Sequence, residues 1–349
     1  MANPNNQRSK NLQRKRRRRI LLLILVPMIL IVSAVTSYGA YLFNKAASAA
    51  ESSQQVLERG EKSEKREQPV NPKHDNISIL FMGVDDSEKR DMGSMTRTDA
   101  LILATLNEDQ KSVKMVSIPR DSLVYIPSMG KEDKITHAHY NGDQSTIETV
   151  EELFDVPVDY YVKMNFDAFI DVVDALNGIH VDVPITFSEM DSKDRKGAIT
   201  LEEGYQLLDG EQSLALARTR KIDNDIERGK RQQLVLSAII NRAASVSSLS
   251  KYGSVIDALG DNITTNFQFG ELIALHDYAT SGQKLQIESF HLEGEDLWTP
   301  TYYYGVNQEN LTELSGILKN HLELTTLGER NDSNLVESTT VDEGLENDY

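Results

Sequence analysis

The chain has no cysteine among its 349 residues, so disulfides, thiolate metal sites and cysteine nucleophiles are all excluded. It also lacks the Gly-x-Ser-x-Gly turn of serine hydrolases and the glycine-rich Walker loop, which removes an elbow serine and a P-loop nucleotide site. His137 and His139 stand two apart, but no third ligand at zinc-like spacing accompanies them. No internal repeat divides the chain. Basic residues are scarce, 37 Lys and Arg against 54 Asp and Glu, for a net charge of −17.

Where the basic residues fall is informative. Residues 1–19 hold eight of them (Arg8, Lys10, Arg14, Lys15 and Arg16 to Arg19) and no acid. Ile20 to Phe43 then runs 24 residues without a charge, interrupted by Pro27 and Gly39. At ~1.5 Å per residue this stretch is about 36 Å long, enough to cross a hydrocarbon layer of roughly 30 Å. Cleaved signal peptides have apolar cores of roughly 7–15 residues. The expectation is therefore an uncleaved anchor, although Ala46-Ala47-Ser48-Ala49-Ala50 resembles a cleavage region. The basic flank stays in the cytoplasm, so the chain is expected to be a single-pass type II membrane protein with everything after residue 44 outside the cell.

That topology accounts for the basic run through orientation. The exterior portion is then more acidic still than the whole, which argues against a nucleic-acid partner. Residues 44–75 are polar and read as a stalk, residues 76–323 as the folded domain, and residues 324–349, with seven acids against Arg330, as a disordered acidic tail.

Within 76–323, strand-length and helix-length segments alternate. Ile77 to Val84, Leu101 to Leu106, Val113 to Ile118, Tyr160 to Met164, Ile179 to Val183 and Leu285 to Phe290 read as strands. Helices are predicted over Ser145 to Phe154, Phe166 to Leu176 ending at Gly178, Leu207 to Ala217, Ile226 to Ala244, Phe269 to Thr280 and Asn310 to Leu322. The pattern predicts one α/β/α domain, a central mixed sheet flanked by helices.

In so acidic a chain, the stretch Leu214 to Gln233 stands out, with four arginines inside fourteen residues. Arg218 and Arg220 point the same way only if that piece is extended. Arg228, Arg231 and Gln232 share one face of a helix that Asp223, Asn224 or Asp225 would cap. Guanidinium forks match phosphate oxygens and stay charged at any working pH, so the arrangement suits a dense anion. A solvated helix face with surface ion pairs would produce the same pattern.

Three further motifs precede it. Gly83-Val84-Asp85 closes the first strand, and Thr96-Arg97-Thr98-Asp99 leads into the second. If those strands are antiparallel neighbours, Asp85 and Asp99 share a sheet edge. Two hard oxygen ligands completed by phosphate and water are a usual way to hold Mg²⁺. Each Asp alone could equally cap a turn. Ser117-Ile118-Pro119-Arg120-Asp121 ends the third strand in a proline-fixed turn, and Lys134-Ile135-Thr136-His137-Ala138-His139-Tyr140 follows.

In series, Gly83-x-Asp85, Arg97-Thr98-Asp99, Ser117-Ile118-Pro119-Arg120-Asp121, Lys134-Ile135-Thr136-His137-Ala138, Leu208-Asp209-Gly210 with Ala215-Leu216-Ala217-Arg218-x-Arg220, and Asp225-x-x-Arg228-x-x-Arg231-Gln232-Gln233 resemble the LytR–CpsA–Psr family. The resemblance covers roughly residues 74–323. One departure is Thr136-His137-Ala138-His139-Tyr140, where many members have Asn first and a Gly pair soon after Tyr; here only Asn141-Gly142 follows.

The resemblance implies a Gram-positive cell-wall enzyme. It would transfer an anionic glycopolymer phosphate, such as wall teichoic acid, from a polyprenyl-diphosphate carrier to the C6 hydroxyl of N-acetylmuramic acid in peptidoglycan. By motif, Arg120, Arg218, Arg220, Arg228 and Gln232 would hold the diphosphate, with Arg97, Lys134 and Arg231 as further candidates for that pocket. Asp85 and Asp99 would hold Mg²⁺ or Mn²⁺. Arginine cannot readily act as a base, so the acceptor proton would be lost to a carboxylate, with Asp99 the candidate, or through metal-lowered acidity. The polyprenyl tail would occupy an apolar tunnel between sheet and helices, walled by Ile226 to Ile240. Two other readings fit the same residues, a hydrolase of prenyl diphosphates and a non-catalytic, membrane-tethered polymer-binding or regulatory protein.

Overall fold

The computed structural model describes residues 50–84, 97–220, 225–245, 263–280 and 285–324, with scattered positions between 33 and 48. The expected basic tail, most of the expected membrane span and the acidic tail beyond Leu324 lie outside the described residues. No helix among the described residues is long and apolar enough to cross a membrane.

The strands are β1 (Ile77–Val84), β2 (Thr98–Asn107), β3 (Ser112–Ser117), β4 (Leu123–Ile126), β5 (Lys131–Lys134), β6 (Tyr160–Met164), β7 (Ile179–Val183), β8 (Phe187–Glu189), β9 (Ile199–Leu201), β10 (Gly204–Leu208), β11 (Ile263–Thr265), β12 (Gln286–His291), β13 (Gly294–Trp298) and β14 (Tyr302–Val306). The helices are α1 (Asp143–Phe154), α2 (Phe166–Ala175), α3 (Gly210–Arg218), α4 (Asp225–Ser245), α5 (Phe269–Thr280) and α6 (Gln308–His321).

A six-stranded mixed sheet in the order β11-β6-β1-β2-β3-β12 forms the centre. The pairs β1–β2 and β2–β3 are antiparallel, while β1–β6 and β3–β12 are parallel. Alternation along β2 sends Leu101 and Leu103 to one face and Ile102 and Ala104 to the other. The first face packs on Ile147, Val150 and Phe154 of α1 and Leu314 and Leu318 of α6. The second meets Leu236 and Ile240 of α4 and Tyr278 of α5. This is the expected layered α/β domain with helices on both faces.

Boundaries shift where local chemistry is strong. The segment read as one helix from Leu207 is split, because Asp209 and Gln212 form a reciprocal capping box that starts α3 at Gly210. Leu207 and Leu208 instead pair with His180 and Ile179. Helix α2 does stop before Gly178, whose φ of +80° and approach to the Leu208 carbonyl leave no room for a side chain.

The stretch read as a stalk is docked on the domain from Gln54 onward. Gln54 bridges to Thr265, and Leu57 joins the core. Arg59 donates to Glu151 (2.7 Å) and to the Val158 carbonyl (2.5 Å), and Arg66 chelates Asp159 at 2.9 and 2.7 Å. Two buried acids, Glu151 and Asp159, are thereby neutralised by the segment that leads to the expected anchor.

At the other end of the chain His321 fastens α6 to the sheet. Its Nδ1 bonds the Thr105 hydroxyl at 2.7 Å and its Nε2 the Ser112 hydroxyl at 2.8 Å. Burial pushes the imidazole down to about 4, so between that pH and the ordinary 6.5 the unfolded chain binds a proton that the folded chain does not. Its contribution is present above pH 6.5 and lost as pH falls through that window, about 3 kcal/mol in all. Between pH 6.5 and 4, thermal unfolding of the native chain is expected to shift down further than that of His321→Gln. Parallel shifts would refute the assignment.

Candidate functional site

The site is built where four segments meet at one end of the sheet. A register shift between Gly83 and Val84 makes Asp99 the extra residue of a β-bulge, which turns its carboxylate out of the ladder. Just past β3 the chain turns at Pro119, where the Ser122 amide returns to the Pro119 carbonyl at 3.0 Å, and Arg120 projects toward that carboxylate. Its Nη1 reaches Asp99 Oδ1 at 2.5 Å.

The arginine stretch supplies the rest. Arg218 is the last residue of α3, not part of an extended pair, and Thr219 then takes extended backbone (φ −60°, ψ 135°) that carries Arg220 to the same cavity. Arg220 lies 3.8 Å from Asp99 and 3.7 Å from Asp225. Arg228 lies 3.4 Å from Asp225 and donates to the Asp99 carbonyl at 3.4 Å. Two carboxylates thus hold three guanidiniums together. Asp223 and Asn224 lie outside the described residues, and Asp225, read as a helix cap, opens α4 as the hub of this network.

Arg228 is only 5% exposed, and its Nε is buried without a hydrogen-bond partner among the described residues. Burial, reinforced by the neighbouring Arg220 and Arg120 cations and opposed by Asp225 and Asp99, brings its guanidinium down to about 10, still charged at neutral pH. For Arg120, burial opposes the charge, but Asp99 above all, with Asp121 and Asp225, holds it above its ordinary value. Such a desolvated cation is stabilised by an arriving anion.

Next to this cluster is a cavity of about 640 Å³, within the range of small-molecule sites. Helix α4 gives it a graded wall: Arg228 and Gln232, then Val235 and Leu236, then Ile239 and Ile240, then Ala243. The stripe follows the helical period over roughly 22 Å, charged at the helix N-terminus and apolar beyond it. Phe81 and Ile102 of the sheet and Phe169 and Val172 of α2 face the apolar part.

Of the residues singled out in the sequence, Asp99, Arg120, Arg218, Arg220, Arg228 and Gln232 all line this cavity. Three do not. Arg231 turns to the other side of α4 and donates to the Thr219 carbonyl at 2.8 Å. Lys134 pairs with Asp121 at 2.6 Å, and the exposed Arg97 donates to the Tyr140 hydroxyl at 2.6 Å. Asp85 lies outside the described residues.

The chain matches the LytR_cpsA_psr family over residues 40–320. It belongs to the LytR–CpsA–Psr family. Curated relatives agree with this LytR–CpsA–Psr membership. The polyisoprenyl-teichoic acid–peptidoglycan teichoic acid transferase TagT of Bacillus subtilis is 43% identical over 300 residues, spanning 84% of this chain and 92% of the relative. TagV of the same organism, named as the same kind of transferase, is 36% identical over 85% of this chain and 77% of its own. Among solved structures, TagT bound to LIIa-WTA superposes with a TM-score of 0.67 at 41% identity, covering 77% of this chain and 100% of that one. TagT with bound octaprenyl pyrophosphate lipid gives 0.62 at 38% identity, over 77% of this chain and 100% of that one.

What seats α4 in this LytR–CpsA–Psr domain is close contact. Gln233 donates to the Met115 carbonyl at 3.1 Å and the Phe290 carbonyl at 2.6 Å, pinning the helix to β3 and β12. A Cβ on Gly229 would lie 2.5 Å from Ser117 Oγ and 3.3 Å from its Cβ. Gly229→Ala is therefore expected to destabilise the chain by about 1–3 kcal/mol. Adding Ser117→Ala, which removes the nearer atom, should recover most of that loss in thermal unfolding. An unperturbed single variant would contradict this packing argument.

Proposed function

We propose that this chain transfers a glycopolymer 1-phosphate, such as wall teichoic acid, from a polyprenyl-diphosphate carrier to the C6 hydroxyl of N-acetylmuramic acid in peptidoglycan. It would act from the outer face of the cell membrane of a Gram-positive bacterium, held there by its N-terminal span. The observation that carries this reading is the polarity of one cavity: four guanidiniums and the acids Asp99, Glu189 and Asp194 on its wall, and an aliphatic and aromatic stripe from Val235 to Ile240 with Phe81, Ile102, Phe169 and Val172. A prenyl diphosphate has the same division. The names and bound lipids of the TagT relatives support it.

In this reading Arg120, Arg218, Arg220 and Arg228 hold the diphosphate oxygens, and Gln232, one turn along α4, donates from its amide. The amides of the α4 N-terminus add to the same field. The polyprenyl chain lies along Val235, Leu236, Ile239 and Ile240. The acceptor hydroxyl oxygen attacks the phosphorus that carries the sugar, and the bond from that phosphorus to the bridging oxygen breaks. Polyprenyl phosphate leaves with the new charge, which the guanidiniums neutralise without reorganising. Asp99 takes the hydroxyl proton.

A divalent cation suits this donor set. The Asp99 carboxylate is a hard oxygen ligand at the cavity wall. Among the described residues no group of three His, Asp or Glu forms a complete cage, so diphosphate oxygens would have to complete the shell. Mg²⁺ or Mn²⁺ would be held by Asp99 with Asp85 and would supply further charge neutralisation on the diphosphate. Arg231, Lys134 and Arg97 act at a distance. Arg231 ties α4 to the segment carrying Arg220, Lys134 neutralises Asp121 beside Arg120, and Arg97 rests on Tyr140.

The test uses the full chain, a short-prenyl diphosphate-linked sugar donor and peptidoglycan oligomers, with products weighed by mass spectrometry. A phosphodiester-linked product is expected only when acceptor is present. Arg218→Ala and Arg220→Ala should each lower kcat/KM by about 10²–10³. Release of glycosyl phosphate at the same rate without acceptor would mark a hydrolase. Unchanged polymer attachment in Arg218→Ala and Asp99→Ala cells would mark a tethered binding protein.

The tail assignment has its own test. Leu236→Trp narrows the apolar part without touching the cations. The donor KM is expected to rise about 10-fold for a long prenyl chain and little for a short one, whereas equal effects on both would place the tail elsewhere.

A further inference from the structure

A second cavity, of about 310 Å³, adjoins the arginine cluster and shares no lining residue with the first. Asp121, Asp225 and Asp296 line it together with Tyr302 and Tyr304. Arg120, which lines the first cavity, stands between the two: its Nε lies 3.5 Å from Asp121 and 4.0 Å from Asp225 of the second. One wall is the β13–β14 hairpin, in which Asp296 pairs with Tyr304 and Trp298 with Tyr302. Residues paired across a hairpin share a face, as do residues two apart, so Asp296, Trp298, Tyr302 and Tyr304 stand on one side of it.

Trp298 is the chain's single tryptophan and is 78% exposed. Its ring lies 5.1 Å from that of Tyr302 and is tilted 54° to it, and the Tyr302 hydroxyl donates to Asp296 at 2.9 Å. Burial, with the hydrogen bond and charge of Asp296, raises the Tyr302 phenol above its usual range, so it remains a donor. The hairpin is held in place. The Tyr304 amide donates to the Asp121 carbonyl at 2.9 Å, and Lys134, paired with Asp121, lies 5.6 Å from the centre of the Tyr302 ring.

A large aromatic left in water beside carboxylates and a phenol matches one kind of ligand. A pyranose ring offers a C–H face that packs on an indole and an edge of hydroxyl and amide donors that carboxylates accept. The same carboxylates repel phosphate-bearing polymers and anionic lipid surfaces. We propose that the β13–β14 hairpin and the cavity behind it form the acceptor subsite, with Trp298 stacked on an N-acetylated sugar of the peptidoglycan glycan strand and Asp296 accepting from its polar edge. This rests on the transferase reading and adds to it where the acceptor lies: on the Asp121–Asp225 side of Arg120, across from the lipid cavity.

The experiment has two arms, both on the full chain. In the first, Trp298 emission is followed while a lipid-free tetrasaccharide of alternating N-acetylglucosamine and N-acetylmuramic acid, its lactyl carboxyls amidated as in a peptide-bearing strand, is added. A saturable change is expected, and Asp296→Asn should weaken it at least 5-fold. In the second, transfer kinetics are measured for Trp298→Ala and Trp298→Phe. The alanine variant should raise acceptor KM at least 10-fold with donor KM unchanged, and phenylalanine should recover most of that loss. Emission that responds to phosphatidylglycerol vesicles but not to the glycan, or an unchanged acceptor KM in Trp298→Ala, would overturn the proposal. If the native chain forms no transfer product, the transferase reading fails instead, and the emission arm still decides whether the hairpin binds glycan.

Discussion

Guanidiniums repel one another, and everything at this site depends on how that repulsion is contained. Two unit charges about 5 Å apart in a partly buried site oppose each other by roughly 3 kcal/mol. Asp99 and Asp225 hold Arg120, Arg220 and Arg228 together by standing between them. Arg218 joins them at the same cavity, whose wall also carries Glu189 and Asp194. Asp121, beside Arg120, is paired with Lys134.

The fold delivers these groups through three local devices. The bulge in β2 turns Asp99 out of the sheet, Pro119 bends the chain so that Arg120 meets it, and Gly229 lets α4 lie against β3 with Arg228 at its buried end. The same helix then runs along the sheet with an apolar stripe. One element therefore supplies both part of the guanidinium cluster and the wall of the apolar cavity, and in the proposed function it links headgroup to tail recognition.

Much of this was legible in the sequence because it rests on local periodicity. The long helix read over Ile226 to Ala244 and the first three strands follow from spacing and capping alone. Side-chain direction was harder to read. Arg228, Arg231 and Gln232 share a helix face by spacing, yet only packing against Thr219 shows that Arg231 points away from the cavity. Asp225 was legible as a helix-start residue, while its role as a hub depends on Arg120, more than a hundred positions earlier. The β13–β14 hairpin is short and half exposed, so it lacks the apolar alternation that marks a strand. The stalk reading failed for a related reason: Arg59 and Arg66 look like solvated charges until Glu151 and Asp159 are placed beneath them.

The central claim is that the arginine cluster recognises two linked phosphates at the end of an apolar cavity. It is tested most directly by titrating the full chain in lipid nanodiscs with three ligands of identical tail: a prenyl diphosphate, the monophosphate and the alcohol. The account predicts that affinity falls at each loss of a phosphate, by about 10-fold or more per step, and that Arg228→Ala abolishes the difference between the first two. Equal affinities for all three would mean that the cavity binds only the tail, and the account would be wrong.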